Sequence, residues 1–88
     1  MIFVDQLRSY RTKVRWCHMM TDGDIDELHK FAKKIGLQRH WFQKHVTHPH
    51  YDITESVRIL AVNAGAFPVP SRYMVKRCSS IFAKQKKL

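Results

Sequence analysis

A length of 88 residues sets one small domain, in which every buried aromatic counts toward a marginal core. With 44% hydrophobic and 11% aromatic residues, and only three Gly and three Pro, the composition excludes a disordered or low-complexity chain. Sixteen Lys and Arg against seven Asp and Glu leave a formal charge of +9, which points to an anionic partner such as nucleic acid, a nucleotide or a lipid surface, and otherwise to solubility alone.

In chain order, MIFVD (1–5) is a short apolar run ending in an acid and predicts a buried strand. QLRSYRTKVR (6–15) carries Arg8, Arg11, Lys13 and Arg15 and reads as an irregular connection. WCHMM (16–20), bounded by TDGD, predicts a second strand. DIDELHKFAKKIG (24–36) is the clearest helix: Asp24 is its N-cap, Ile25, Leu28, Ala32 and Ile35 recur on one face, acids precede bases along it, and Gly36 stops it. LQRHWFQKH (37–45) is a short strand or turn that brings Trp41 and Phe42 to the core.

TESVRILAVNAG (54–65) predicts a second helix capped by Thr54, with Val57, Leu60, Ala61 and Ala64 on one face. Ile59 and Val62 widen that face, which predicts burial on more than one side. AFPVP (66–70) is a brief extended piece. Ser71 caps a last helix, RYMVKRCSSIFAKQ, with Met74, Val75, Cys78, Ile81 and Phe82 as its apolar stripe, and residues 84–88 form a frayed basic tail. This alternation predicts an α/β fold, a single domain over 1–88 with a short, mostly parallel sheet packed by about three helices. A helical bundle with the short apolar runs as loops is the competing arrangement.

Cys17 and Cys78 stand far apart and read as buried small apolar residues rather than as a disulfide or a metal pair. MIFVDQL is too short for an export signal or a membrane span and carries Asp5, so a reduced, cytoplasmic protein is expected, with no membrane partner. Walker loops, Gly-rich dinucleotide turns, Gly-x-Ser-x-Gly elbows and regular zinc spacings do not occur.

The stretch HVTHPHYDI (45–53) holds three histidines. Pro49 favours an extended His48, and in an extended strand His48, His50 and Asp52 share one face while Tyr51 points to the other. An imidazole two residues from a carboxylate can have its tautomer fixed by it, or the two can share a metal ion. His18 lies in the second strand shortly before Asp22, and His29 sits three residues after Asp26 on the first helix. If strand and helix meet at TDGD, His18, Asp22 and His29 converge, with Asp5 at the end of the first strand beside them. Taken singly, a histidine on a helix flank or in a His-Pro-His loop is ordinary hydrogen-bonded or solvated sequence. Trp16, Trp41 and Phe42 are core residues or, if exposed, stacking platforms.

VD (4–5), WCHMMTD (16–22), ELHKFAKKIGL (27–37), HYDI (50–53), GA (65–66) and SR (71–72) occur in this order. On these segments, which span nearly the whole chain, the sequence resembles a family of small bacterial and bacteriophage proteins catalogued as a domain of unknown function. The resemblance brings no activity with it. It implies a cytoplasmic protein and singles out Asp5, His18, Asp22, His29, His50, Tyr51 and Asp52, while leaving out His45, His48 and both cysteines.

The resulting expectation is a phosphate-handling protein acting on nucleic acid or a nucleotide through a His/Asp cleft, a phosphodiesterase or nuclease if it is an enzyme. His18, His29, His50, Asp22 and Asp52 are its candidate catalytic residues. Arg8, Arg11, Arg15, Arg72 and Lys76 are candidate phosphate-binding residues, and Asp5, His18 and Asp22 are candidate ligands for a divalent metal. The alternative is a non-catalytic accessory protein that binds nucleic acid or a host protein. The sequence leaves the oligomeric state open.

Overall fold

The computed structural model describes residues 1–9, 11 and 13–79. An interior strand of its sheet, β1 (Ile2–Val4), is buried on both faces. Residues 5–14 are too short a link for the crossover of roughly a dozen residues or more that a parallel neighbour requires. The chain therefore turns back, and β3 (Arg15–Thr21) pairs with β1 antiparallel, Val4 opposite Met19. On the way back, part of the segment read as irregular forms β2 (Arg8–Ser9), which pairs with the start of β3, Arg8 opposite Trp16. The pairing frame steps by one residue between β1 and β2, so Gln6 and Leu7 together stand opposite Cys17, a β-bulge immediately after Asp5.

Beyond β3 come α1 (Ile25–Lys34), a single 3₁₀ turn (Arg39–Trp41), β4 (Phe42–Gln43), β5 (His50–Thr54), α2 (Glu55–Asn63), β6 (Phe67–Pro68) and α3 (Ser71–Cys78). The sheet runs β4-β5-β3-β1-β6, with β2 beside β3. The pairs β1–β3, β2–β3, β3–β5 and β4–β5 are antiparallel, and β1–β6 is parallel. The α/β class and the three helices are as expected, but the sheet is mixed and mostly antiparallel rather than mostly parallel. The alternation of strands and helices is real. α1 and α2, however, link strands that are not neighbours: β5 lies between β3 and β4, and β3 and β1 lie between β5 and β6, so each gap holds an oppositely directed strand.

Strand periodicity divides the side chains between two faces. On one face, Ile2, Val4, Cys17, Met19, Tyr51 and Ile53 pack with Leu28 and Ala32 of α1 and Ala61 of α2. On the other, Phe3 and Met20 pack with Met74 and Cys78 of α3. The eight residues of α3 cover only the β1 side of that second face. The β3–β5 side, with His18, His50 and Asp52, stays open as a cleft.

Local signals place the helix ends. Asp24 Oδ1 accepts the Asp26 N–H at 3.0 Å, and Gly36 (φ 92°) and Gly65 (φ 115°) take the left-handed positions that follow α1 and α2. Thr54 and Ser71 precede or begin helices without making the expected side-chain caps. The broad burial expected of α2 is not found: Ile59 is 57% and Leu60 52% exposed. A sheet of strands this short covers one stripe of the helix, and Arg58 fills the flank by sending its Nε–H to the Asp5 carbonyl at 2.9 Å. Ile81, Phe82 and the tail 84–88 lie outside the described residues.

Met19 is fully buried between the sheet and α1, so Met19→Ala should cost about 2–5 kcal/mol. Ile59→Ala should change stability by less than about 0.5 kcal/mol. Urea unfolding of both variants checks this, and an equal loss in the two would contradict the one-sided packing of α2.

Candidate metal centre

In the β3–β5 ladder His18 stands directly opposite Asp52, and His50 lies two residues before Asp52 on the same face. Three chemically useful side chains therefore meet because of register alone. The His18 and His50 rings lie edge to face, with centroids 5.1 Å apart. Nε2 of His50 is 3.3 Å from Asp52 Oδ1, and Nε2 of His18 is 3.9 Å from the same oxygen. One ligand atom from each residue lies within 4.8 Å of the other two.

Both imidazoles are held from behind. His50 Nδ1 is 2.7 Å from the His48 carbonyl oxygen, which only accepts, so Nδ1 carries the proton and Nε2 of the neutral ring is bare. His18 Nδ1 is 2.9 Å from Asp5 Oδ2. Asp5 is 1% exposed and collects further donors: Oδ1 accepts the His18 backbone N–H at 2.7 Å, and Oδ2 accepts the Ser71 hydroxyl at 2.8 Å. Burial pushes the Asp5 carboxyl up, but the hydrogen bonds from the His18 ring, the His18 backbone and Ser71 outweigh it and hold the group below the usual carboxylate value. Asp5 is therefore ionised near neutral pH and accepts from His18 Nδ1, so the neutral tautomer of His18 is the one with its Nε2 lone pair toward the cleft.

The cleft, of about 360 Å³, is lined by Trp16, Cys17, His18, His50 and Asp52. Two imidazole nitrogens and one carboxylate oxygen with open positions are a donor set for Zn²⁺ or another first-row divalent ion. Ligands about 2.1 Å from a tetrahedral ion stand roughly 3.4 Å apart, close to the His50–Asp52 spacing, so small side-chain rotations complete the set. Cys17 adds no thiolate, because burial and the nearby Asp5 charge push its thiol up to about 12. Hydrogen bonding from His50 holds Asp52 below its ordinary value despite some burial. Burial lowers His50, but the Asp52 and His48 hydrogen bonds and the Asp52 charge more than reverse this and raise it.

A family model described as "Protein of unknown function (DUF4031)" matches residues 2–81. The chain belongs to the DUF4031 family. No curated protein and no solved structure shows a match to it.

The other residues singled out in this DUF4031 chain are distributed differently. His29 sits across the sheet from the cleft. Its Nδ1 is 2.9 Å from the Tyr51 hydroxyl and its ring is edge-on to Phe42. Burial and the Arg39 charge keep it below the usual imidazole value. Asp22, beyond the end of β3, is bound by the Met1 ammonium at 2.9 Å and by Arg77 Nε at 2.7 Å. His18, Asp22 and His29 are therefore not brought together; His50, Asp52 and Asp5 join His18 instead. Asp5 stands behind His18 rather than among the converging atoms.

Of the basic residues, Arg8 reaches this side of the sheet, its guanidinium 3.3 Å from Ser71 Oγ. Arg15 pairs with Glu55, while Arg11, Arg72 and Lys76 are exposed. Ser71 and Arg58 went unread as contributors. The SR pair at 71–72 was the only hint, and nothing in the order of residues links it to Asp5. His45 and His48, which the resemblance leaves out, support the site from behind. His45 Nδ1 accepts the N–H of His48 at 3.2 Å and of Thr47 at 3.3 Å, shaping the turn whose carbonyl at His48 fixes His50. Among the described residues no helix is long and apolar enough to cross a membrane.

In the metal-free protein His50 should titrate above its ordinary 6.5, and Asp52→Asn should bring it down, as read by NMR of the ring protons. Because the folded value is raised, the His50 share of stability is fully present below pH 6.5 and is lost as pH rises through the folded value. The Asp52 share is present above 3.8 and is lost as pH falls through its lower folded value. A wild-type His50 value at or below 6.5 would contradict the pairing. Asp5→Asn places an N–H where the His18 ring and Ser71 already donate, so Zn²⁺ affinity measured by calorimetry should fall about 10–100-fold.

Proposed function

We propose that this DUF4031 protein is a divalent-metal-dependent phosphodiesterase or nuclease acting on nucleic acid or a nucleotide. The observation that carries the reading is the convergence of His18 Nε2, His50 Nε2 and an Asp52 oxygen, with both Nδ1 protons already engaged by Asp5 and by the His48 carbonyl. Three protein ligands leave room for water and for a phosphate oxygen.

A divalent ion held by His18, His50 and Asp52 would supply Lewis acidity, making water more acidic and drawing charge from the phosphoryl oxygens. Neutral His18 and His50 rings, each with Nδ1 engaged from behind, would contribute Nε2 lone pairs, and Asp52 would contribute a carboxylate oxygen. Arg8, on the same side of the sheet, is placed to steady a phosphate. In the reaction, water oxygen bonds to phosphorus, the ester P–O bond breaks, and the leaving alkoxide takes a proton to give an alcohol and a phosphomonoester. The formal charge of +9 favours approach of a polyanion.

The decisive assay measures turnover of RNA, DNA and cyclic nucleotides by purified protein after EDTA and after Mn²⁺ or Zn²⁺ is restored. Activity should vanish with EDTA, return with the ion, and be lost in His50→Ala. No turnover of any of these substrates by metal-loaded wild type would overturn the reading. Activity that depends on His50 but ignores EDTA would replace the metal with a general acid–base pair of histidines.

A further inference from the structure

Two tryptophans are left partly outside the core of a protein small enough to need both. Trp16 is 36% and Trp41 47% exposed. They line the same groove, of about 510 Å³, whose remaining wall mixes the apolar Leu37, Ile53 and Val57 with polar residues such as His40 and Gln43. The groove lies at the start of β4. Pairing between β4 and β5 ends at Tyr51, so Asp52 to Thr54 continue without β4 alongside them. Two of the groove's residues, Trp16 and Asp52, also line the cleft of the metal centre, so the two depressions adjoin. Gln43, at the rim, offers both an amide N–H and a carbonyl.

We infer that this groove is the base-binding subsite of the same centre, taking the unstacked base of a single-stranded nucleic acid or a nucleotide whose phosphate lies at His18, His50 and Asp52. The inference rests on the phosphodiesterase reading and names the substrate class that it leaves open. A flat aromatic ring matches a groove with indole walls, and stacking tolerates every base because every base has a π-face. A rim amide can meet a base edge with a donor and an acceptor together. A base still paired and stacked in a duplex has no free π-face to lay against either indole, so the groove selects single strands. A purely apolar ligand would gain nothing from Asp52 at the junction, whereas a nucleotide bridges an aromatic subsite and a cationic one.

The test uses the whole protein and a short single-stranded oligonucleotide, with the matching duplex and inorganic phosphate as comparators. Intrinsic tryptophan fluorescence should be quenched by the single strand and not by phosphate. Trp41→Ala should weaken single-strand binding about tenfold, and Trp41→Phe should largely restore it. Zn²⁺ affinity should be the same in wild type and Trp41→Ala, because Trp41 is not among the converging ligands. Equal single-strand affinity in wild type and Trp41→Ala, or duplex binding as tight as single-strand binding, would overturn the inference. Tryptophan-dependent binding of the single strand in a protein that takes up no metal and turns over none of these substrates would instead sink the phosphodiesterase reading and leave a single-strand-binding groove.

Discussion

The carboxylate of Asp5 is the point on which the rest of the arrangement turns. At the end of β1 the backbone carbonyl of Asp5 is drawn toward Arg58, and the side chain accepts the His18 backbone N–H. One buried group thereby substitutes for a ladder acceptor, fixes the His18 ring and receives Ser71. A buried carboxylate without such donors would be costly. With four donors around its carboxylate and carbonyl together, Asp5 ties β1, β3, α2 and the start of α3 into one unit. The bulge that follows at Gln6 and Leu7 lets the chain resume pairing with β3 after this local departure.

Coverage of the sheet then decides where chemistry can occur. One face is closed by α1 and α2 and carries the larger apolar cluster. The opposite face is closed only at Phe3 and Met20. Polar residues at alternate positions of β3 and β5 fall on that open half, so His18, His50 and Asp52 meet solvent without disturbing the core beneath them. Tyr51, between His50 and Asp52, points the other way and takes a hydrogen bond from or to His29. The same two strands thus carry a core and a cleft at no conflict with each other.

Much of this was legible in the residues themselves. Period-two reasoning groups His48, His50 and Asp52 on one face and sends Tyr51 to the other, and Asp24, Leu28, Ala32 and Gly36 are enough to define α1. Strand direction was not legible, because helices between strands look the same whether or not another strand is inserted between the two they join. Nor was the partnership of His18 with His50 and Asp52, since it depends on the β3–β5 register, a long-range fact. Asp22 and His29 have suitable chemistry, but Met1 and Arg77 hold one and Tyr51 with Phe42 hold the other. Local sequence reports which side chain faces which side of a strand; it does not report which strand lies next to it.

The hydroxyl of Ser71 meets Asp5 across 66 positions of sequence. During synthesis, β1, β3 and β5 are all available before the first turn of α3 emerges, so the sheet and its histidines can assemble while Asp5 still lacks its last donor. Order of appearance along the chain therefore separates the building of the sheet from the completion of its buried anion. The residue that completes it belongs to a helix that contributes no wall to the cleft.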